Sequence, residues 1–257
     1  MESQASRAEA GGRRSSRGLA RGPGERWSRF AARIANAFGL VLVLVLAIYV
    51  LASLVSYSGW GGVALAAVTS TCATVALVSS GARPPLPHWS TALGTVAVVL
   101  AVVSALAGGS TLLGVAALIQ VVLLAVAAAE VLGATLREHE VNFRTILGAI
   151  SVYVMLGILF TYVYAAVDKL QAGQFFGQTT KTGDFIFFSV TTLSTTGYGN
   201  LVPAGQPGRM LAGLEMLVGQ IFLVTLIAGL VSLWRPGEAL RRRREQRDAK
   251  GAAGPPS

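Results

Sequence analysis

DFIFFSVTTLSTTGYGN, residues 184–200, is the stretch on which the fold turns. From Asp184 to about Thr195 it reads as a short helix, with Asp184 placed to cap the first turn. A helix of about 12 residues covers only about 18 Å, too little to cross a hydrocarbon layer about 30 Å thick. The glycines behind its hydroxyl run, Gly197 and Gly199, do not extend it. The segment therefore enters a membrane part way and returns as irregular backbone. In lipid each unpaired backbone group costs several kcal/mol, so such backbone must be buried in protein or line a water-filled path.

The rest of the chain supplies the surroundings that this requires. Its 257 residues are 53% hydrophobic and 13% charged, and the mean hydropathy is +0.60. These values belong to a membrane protein rather than a soluble domain. Six apolar runs, at about 36–58, 62–80, 90–108, 110–135, 145–167 and 209–234, are long enough to span a bilayer. The first could be taken for a signal peptide, but its basic leader is long and no clear cleavage site follows, so it reads as a retained span. Cys72 lies in an apolar run and reads as a small buried hydrophobe.

The net charge of +9 is a matter of topology. Eight of the 21 Lys and Arg precede residue 34, seven follow residue 234, and Arg83, Arg137 and Arg144 lie in even-numbered connections. Placing both termini inside puts these 18 in the cytoplasm and only Lys169, Lys181 and Arg209 outside, as the positive-inside rule requires. The basic charge thus gives no reason to expect nucleic acid. The Gly-, Ser- and Arg-rich termini, 1–34 and 235–257, read as disordered cytoplasmic tails. Trp27 and Phe30 can seat on the membrane surface, and the Arg241–Arg244 run suits anionic lipid at about 1 kcal/mol per charge.

Gly197 and Gly199 adopt positive φ at little cost, which lets successive carbonyl oxygens point to one side. A strip of carbonyls suits a dehydrated monovalent cation. At this point the residues TTLSTTGYGNLVP, 191–203, resemble the pore-loop signature of potassium channels: a helix, a Thr-rich turn, a Gly-Tyr-Gly filter and a following proline. The resemblance implies a selectivity filter of Thr195, Thr196, Gly197, Tyr198 and Gly199, with K+ at the carbonyls of Thr195, Thr196, Gly197 and Tyr198 and at the Thr195 hydroxyl. It extends to Gly219, 21 residues after Tyr198, the place of a gating hinge in the family. K+ is the permeant ion and no cofactor is expected.

The implied architecture is an all-α membrane protein of six transmembrane helices, with a re-entrant pore helix and filter loop between the last two. It divides into a four-helix accessory bundle at 35–136, a cytoplasmic linker at 137–144 and a pore domain at 145–234. The nearest likeness is to bacterial six-span potassium channels without a charged voltage sensor, and Arg-, Ala- and Gly-rich usage points to a GC-rich bacterial source. The fourth run, STLLGVAALIQVVLLAVAAAEVL, has no Lys or Arg, whereas a voltage sensor needs several. One filter strip cannot surround an ion, so a cyclic homotetramer is expected. Gln220, Leu223, Ile227 and Val231 share a helix face and are expected to line the inner cavity.

This sequence also departs from the family pattern. Thr196 stands where Val is usual, Asn200 where Asp is usual, Phe187 and Phe188 where many members have a Trp pair, and Thr191 where some have Glu. These residues and Glu215 are the candidate filter supports. Glu215, at about filter depth, can accept hydrogen bonds from the pore helix, pair with Arg209, or sense pH or ions. Glu130 reads as a local partner of Arg137, and His88 and His139 as solvated or interfacial residues. The tails are too short for a folded ligand-binding domain. No nucleophile and base, metal ligand set or phosphate loop is legible, so an enzyme is not expected. A weakly selective cation channel and a non-conducting accessory subunit remain as alternatives to a potassium channel of the plasma membrane.

Overall fold

The computed structural model describes residues 38–55, 57–137 and 143–233, with the backbone alone at 143–144 and 230–233. The basic termini, His139 and most of the expected linker lie outside the described residues. Among those described, every regular element is an α-helix. They are α1 (Phe38–Leu54), α2 (Gly59–Ser79), α3 (Leu86–Ala107), α4 (Ser110–Leu136), α5 (Phe143–Leu170), α6 (Thr182–Leu193) and α7 (Gln206–Leu233).

Five of these, α2, α3, α4, α5 and α7, are long and apolar enough to cross a membrane. At 17 residues, α1 is shorter, covering about 25 Å. The helix bounds differ from the sequence reading in ways that have local causes. The third helix starts at Leu86 because Pro87 falls in its first turn, where a missing N–H costs nothing. The fifth and seventh helices reach to Leu170 and back to Gln206, beyond the apolar runs that end at about 167 and start at about 209, so the loop between them is shorter than the sequence suggests.

Small residues bring the first helices together. On α2, Ala66, Thr69, Cys72, Ala73 and Ala76 are fully buried. A Cβ on Gly94 of α3 would lie 2.7 Å from that of Ser70. In lipid, where apolar side chains gain little by leaving their solvent, such close backbone approach and shared hydrogen bonds hold helices together. Gln120 of α4 donates to the Ala66 carbonyl and to Ser70, and Thr69 of α2 meets the Tyr162 hydroxyl of α5 at 2.7 Å.

The accessory helices are coupled to the rest chiefly through α4, which packs along α5, and α1, which lies against both α5 and α6. By contrast, α3 touches only α2 and α4, and its Val96, Val99, Val103 and Leu106 face outward. A second apolar cluster, formed by Phe160, Tyr164, Phe175, Phe176, Phe185 and Phe188, joins the C-terminal half of α5, the loop after it and α6.

Candidate functional site: the re-entrant loop

The short helix α6 starts two residues before its expected start. It begins at Thr182, so Asp184 is its third residue and not its cap. From there the carboxylate reaches back to accept the Lys181 N–H at 2.8 Å, satisfying a donor the helix leaves open. Its start is also pinned from outside: the Tyr57 N–H donates to Thr182 Oγ1, and a Cβ on Gly183 would lie 3.3 Å from the Ser53 carbonyl. The end of α1 is thus seated on the beginning of α6.

At its other end α6 stops at Leu193, earlier than expected, because Thr195 takes φ +57°. Gly197 and Gly199 follow at +51° and +76°. Every second residue from 195 to 199 is therefore left-handed, a backbone that costs a β-branched threonine and suits glycine. The first turn of this strip folds back on the helix. The Thr196 and Gly197 N–H groups both donate to the Thr191 carbonyl, at 2.8 and 3.1 Å, and the Thr195 N–H donates to that of Thr192 at 3.0 Å. Donors of the loop thereby satisfy the terminal carbonyls of the helix. Residues 194–200 are exposed in the single chain.

The proposed supports sort themselves by direction. The Phe187 ring stacks on Tyr198, centroids 5.8 Å apart and planes 14° from parallel. Phe188 points the other way, into the aromatic cluster, 5.1 Å from Tyr164 and from Phe176. Thr191 acts through its carbonyl, while its hydroxyl donates to the Phe188 carbonyl at 3.0 Å. The Thr196 hydroxyl, where the family pattern has an apolar side chain, meets Ser194 Oγ at 2.9 Å. Asn200 is exposed and makes no hydrogen bond among the described residues.

Glu215 of α7 is fully buried. It meets Ser189 of α6 and Tyr164 of α5, each at 2.5 Å. Arg209 does not pair with it, since its Nε donates to the Pro203 carbonyl at 3.2 Å. Glu130 and Arg137 likewise form no ion pair with each other among the described residues. Neither Ser189 nor Tyr164 carries a motif that marks it in the sequence. The available signal was a tyrosine in an apolar span, whose hydroxyl needs a partner when buried.

Gly219 sits where α7 crosses the end of α6. A Cβ there would lie 2.4 Å from the Leu193 carbonyl oxygen and 2.9 Å from its side chain. The glycine permits the two backbones to touch, and α7 runs on through it to Leu233. Of the expected cavity face, Gln220 and Ile227 are exposed and Leu223 is half-buried; at Val231 only the backbone is described.

Residues 148–235 match the family model described as "Ion channel". Two curated proteins of Oryza sativa subsp. japonica are similar over the same share of the chain. "Two pore potassium channel a" is 26% identical over 92 residues, 36% of this chain and 25% of that protein. "Two pore potassium channel b" is 30% identical over 87 residues, 34% of this chain and 23% of that protein. The chain spans about a quarter of the length of these relatives. The resemblance to the potassium-channel pore-loop family is therefore shown for residues 148–235. Five helices long and apolar enough to cross a membrane, together with the ion-channel match at residues 148–235, make this a chain of multi-pass membrane character with a channel-like segment.

Proposed function

We propose that the protein is a potassium-selective channel that conducts K+ passively through carbonyls of residues 195–198. The observation that carries this reading is the alternation of left-handed residues at 195, 197 and 199 in an exposed strip that hangs from the end of a half-length helix. Such a strip aims successive carbonyls to one side, where they replace the hydration shell of an ion. The potassium in the names of both relatives supports K+ as the ion.

The working unit in this reading is a homotetramer closed about a fourfold axis. Four α6 helices then point their partly negative C-terminal ends at the cavity and favour a cation there. Gln220, Leu223, Ile227 and Val231 line that cavity, and Gly219 is the point at which α7 meets the filter assembly. With α1 counted as a span, six spans place both basic termini in the cytoplasm, against anionic lipid of the plasma membrane. The division is an accessory bundle at 35–136, a linker at 137–144 and a pore domain at 145–234. None of α1–α4 carries a Lys or Arg, which leaves the bundle without a voltage sensor of the charged type.

Ion flux from proteoliposomes tests the proposal. The wild type is expected to pass K+ and hold back Na+, and Gly197→Ala and Tyr198→Ala to lose that flux or its selectivity. Equal passage of K+ and Na+ in the wild type would favour a weakly selective cation channel, and no passage of either would favour a non-conducting subunit.

A further inference from the structure

Ser189 Oγ stands between two oxygens. It lies 2.7 Å from the Gly157 carbonyl of α5 and 2.5 Å from Glu215 Oε1, while the Tyr164 hydroxyl lies 2.5 Å from Glu215 Oε2. The hydrogens available to this set can be counted. A backbone carbonyl only accepts, and a serine has one hydroxyl hydrogen, so Ser189 donates to Gly157. The contact between Ser189 Oγ and Glu215 Oε1 then needs a hydrogen from the glutamate side. Tyr164 donates to Oε2. One O–H on Glu215 therefore completes a chain in which every hydrogen has an acceptor.

The alternative is an ionised carboxylate sharing Ser189's only hydrogen with Gly157. That would leave a full negative charge on a residue with 0% exposure, at a cost met only by a paired cation or dense hydrogen bonding. No cation is in place. On α5 the ionisable groups toward Glu215 are Tyr164 and, farther along, Tyr153, which stacks on Phe222. On α6 the facing group is Ser189. On α7 Arg209 is turned to Pro203, and beyond the end of the site Lys169 pairs with Asp168 at 3.2 Å. No Lys, Arg or His side chain pairs with Glu215 among the described residues.

The geometry points to Glu215 as a neutral carboxylic acid whose O–H donates to Ser189, making it a positioning residue that holds the filter-bearing helix α6 to both α5 and α7. The role in conduction rests on the channel reading above; the protonation state does not. Glutamine reproduces the pattern of the neutral acid, because its amide N–H donates to Ser189 and its carbonyl accepts from Tyr164. It cannot reproduce that of a carboxylate.

Two measurements on the full-length protein separate these. Infrared difference spectroscopy at neutral pH is expected to show a protonated-carboxyl stretch that is absent in Glu215→Gln. Proteoliposome flux is expected to show unchanged K+ over Na+ selectivity in Glu215→Gln and loss of selectivity in Ser189→Ala, which strands the acid's O–H, while the Gly157 carbonyl keeps the Thr161 hydroxyl at 2.8 Å. Lack of the band in the wild type overturns the neutral-acid assignment, whether or not the protein conducts. A band together with a folded Glu215→Gln variant that has lost selectivity overturns the positioning role. If Glu215→Gln does not fold, Tyr164→Phe serves the spectroscopic arm: removing the hydrogen bond to the acid's carbonyl oxygen shifts the band to higher frequency, and an unshifted band overturns the assignment. Failure of the wild type to pass any ion refutes the channel reading while the band still decides the protonation.

Discussion

Phe187 and Phe188 are adjacent in sequence and stand about 100° apart around α6, which gives them separate work. Phe187 is 39% exposed and lies flat on Tyr198, whereas Phe188 is 7% exposed and locked among Tyr164, Phe175 and Phe176. Phe188→Ala is therefore expected to cost about 3–5 kcal/mol by opening a cavity in that cluster, seen as a lowered unfolding temperature in detergent. Phe187→Ala is expected to leave the unfolding temperature nearly unchanged and to weaken K+ over Na+ selectivity by freeing the Tyr198 ring. The sequence marks both residues as filter supports, since their pattern position is all it shows. Which ring reaches the filter depends on how α6 is rotated against α5, and that is set by contacts distant in the chain. The filter strip itself is legible because Gly197 and Gly199 announce their backbone geometry locally; the left-handed Thr195 is not, a β-branched residue being an unlikely occupant of that conformation.

Between elements, α7 crosses the end of α6 at a close backbone approach. The Leu193 carbonyl fills the space that a side chain on Gly219 would occupy, and the Thr191 carbonyl two residues earlier holds the Thr196 and Gly197 N–H groups. A displacement of α7 at Gly219 is thus passed to residues 196 and 197 through two backbone contacts. Gly219→Ala is expected to destabilise the protein by about 1–3 kcal/mol through forced overpacking and to reduce selective flux. Gly133→Ala on α4, where nothing lies within 4 Å of the added methyl, is expected to be neutral or to gain up to about 1 kcal/mol from helix propensity. Thermal unfolding of the two variants beside the wild type checks both. A glycine at this spacing is visible in the sequence, but its contact is not, for the partner is a carbonyl on another helix. The same applies to Glu215: its burial and acidity stand out in an apolar run, while Ser189 and Tyr164, 26 and 51 residues away, are identified only once three helices are packed.

For the whole molecule, the telling feature is how little of α7 its own chain covers. Leu217, Ile221 and Val224 are each more than half exposed, and the helix touches only α5 and α6. Copies of the chain assembled around a common axis would cover this face and bring four filter strips together. Native mass measurement in mild detergent is expected to give four chains per particle; a stable particle of one or two chains would contradict the assembly. The helical layout is legible in sequence because apolar length alone determines it, whereas the seating of α1 on the start of α6, through Tyr57 and Thr182, has no sequence signature. The central claim, a carbonyl filter selective for K+, is met most directly by the reversal potential of the reconstituted wild-type channel in a planar bilayer with K+ on one side and Na+ on the other. The account predicts a reversal displaced far from zero, toward the potassium equilibrium potential, and lost in Gly197→Ala. A reversal near zero in the wild type, meaning equal permeability to the two ions, would contradict it.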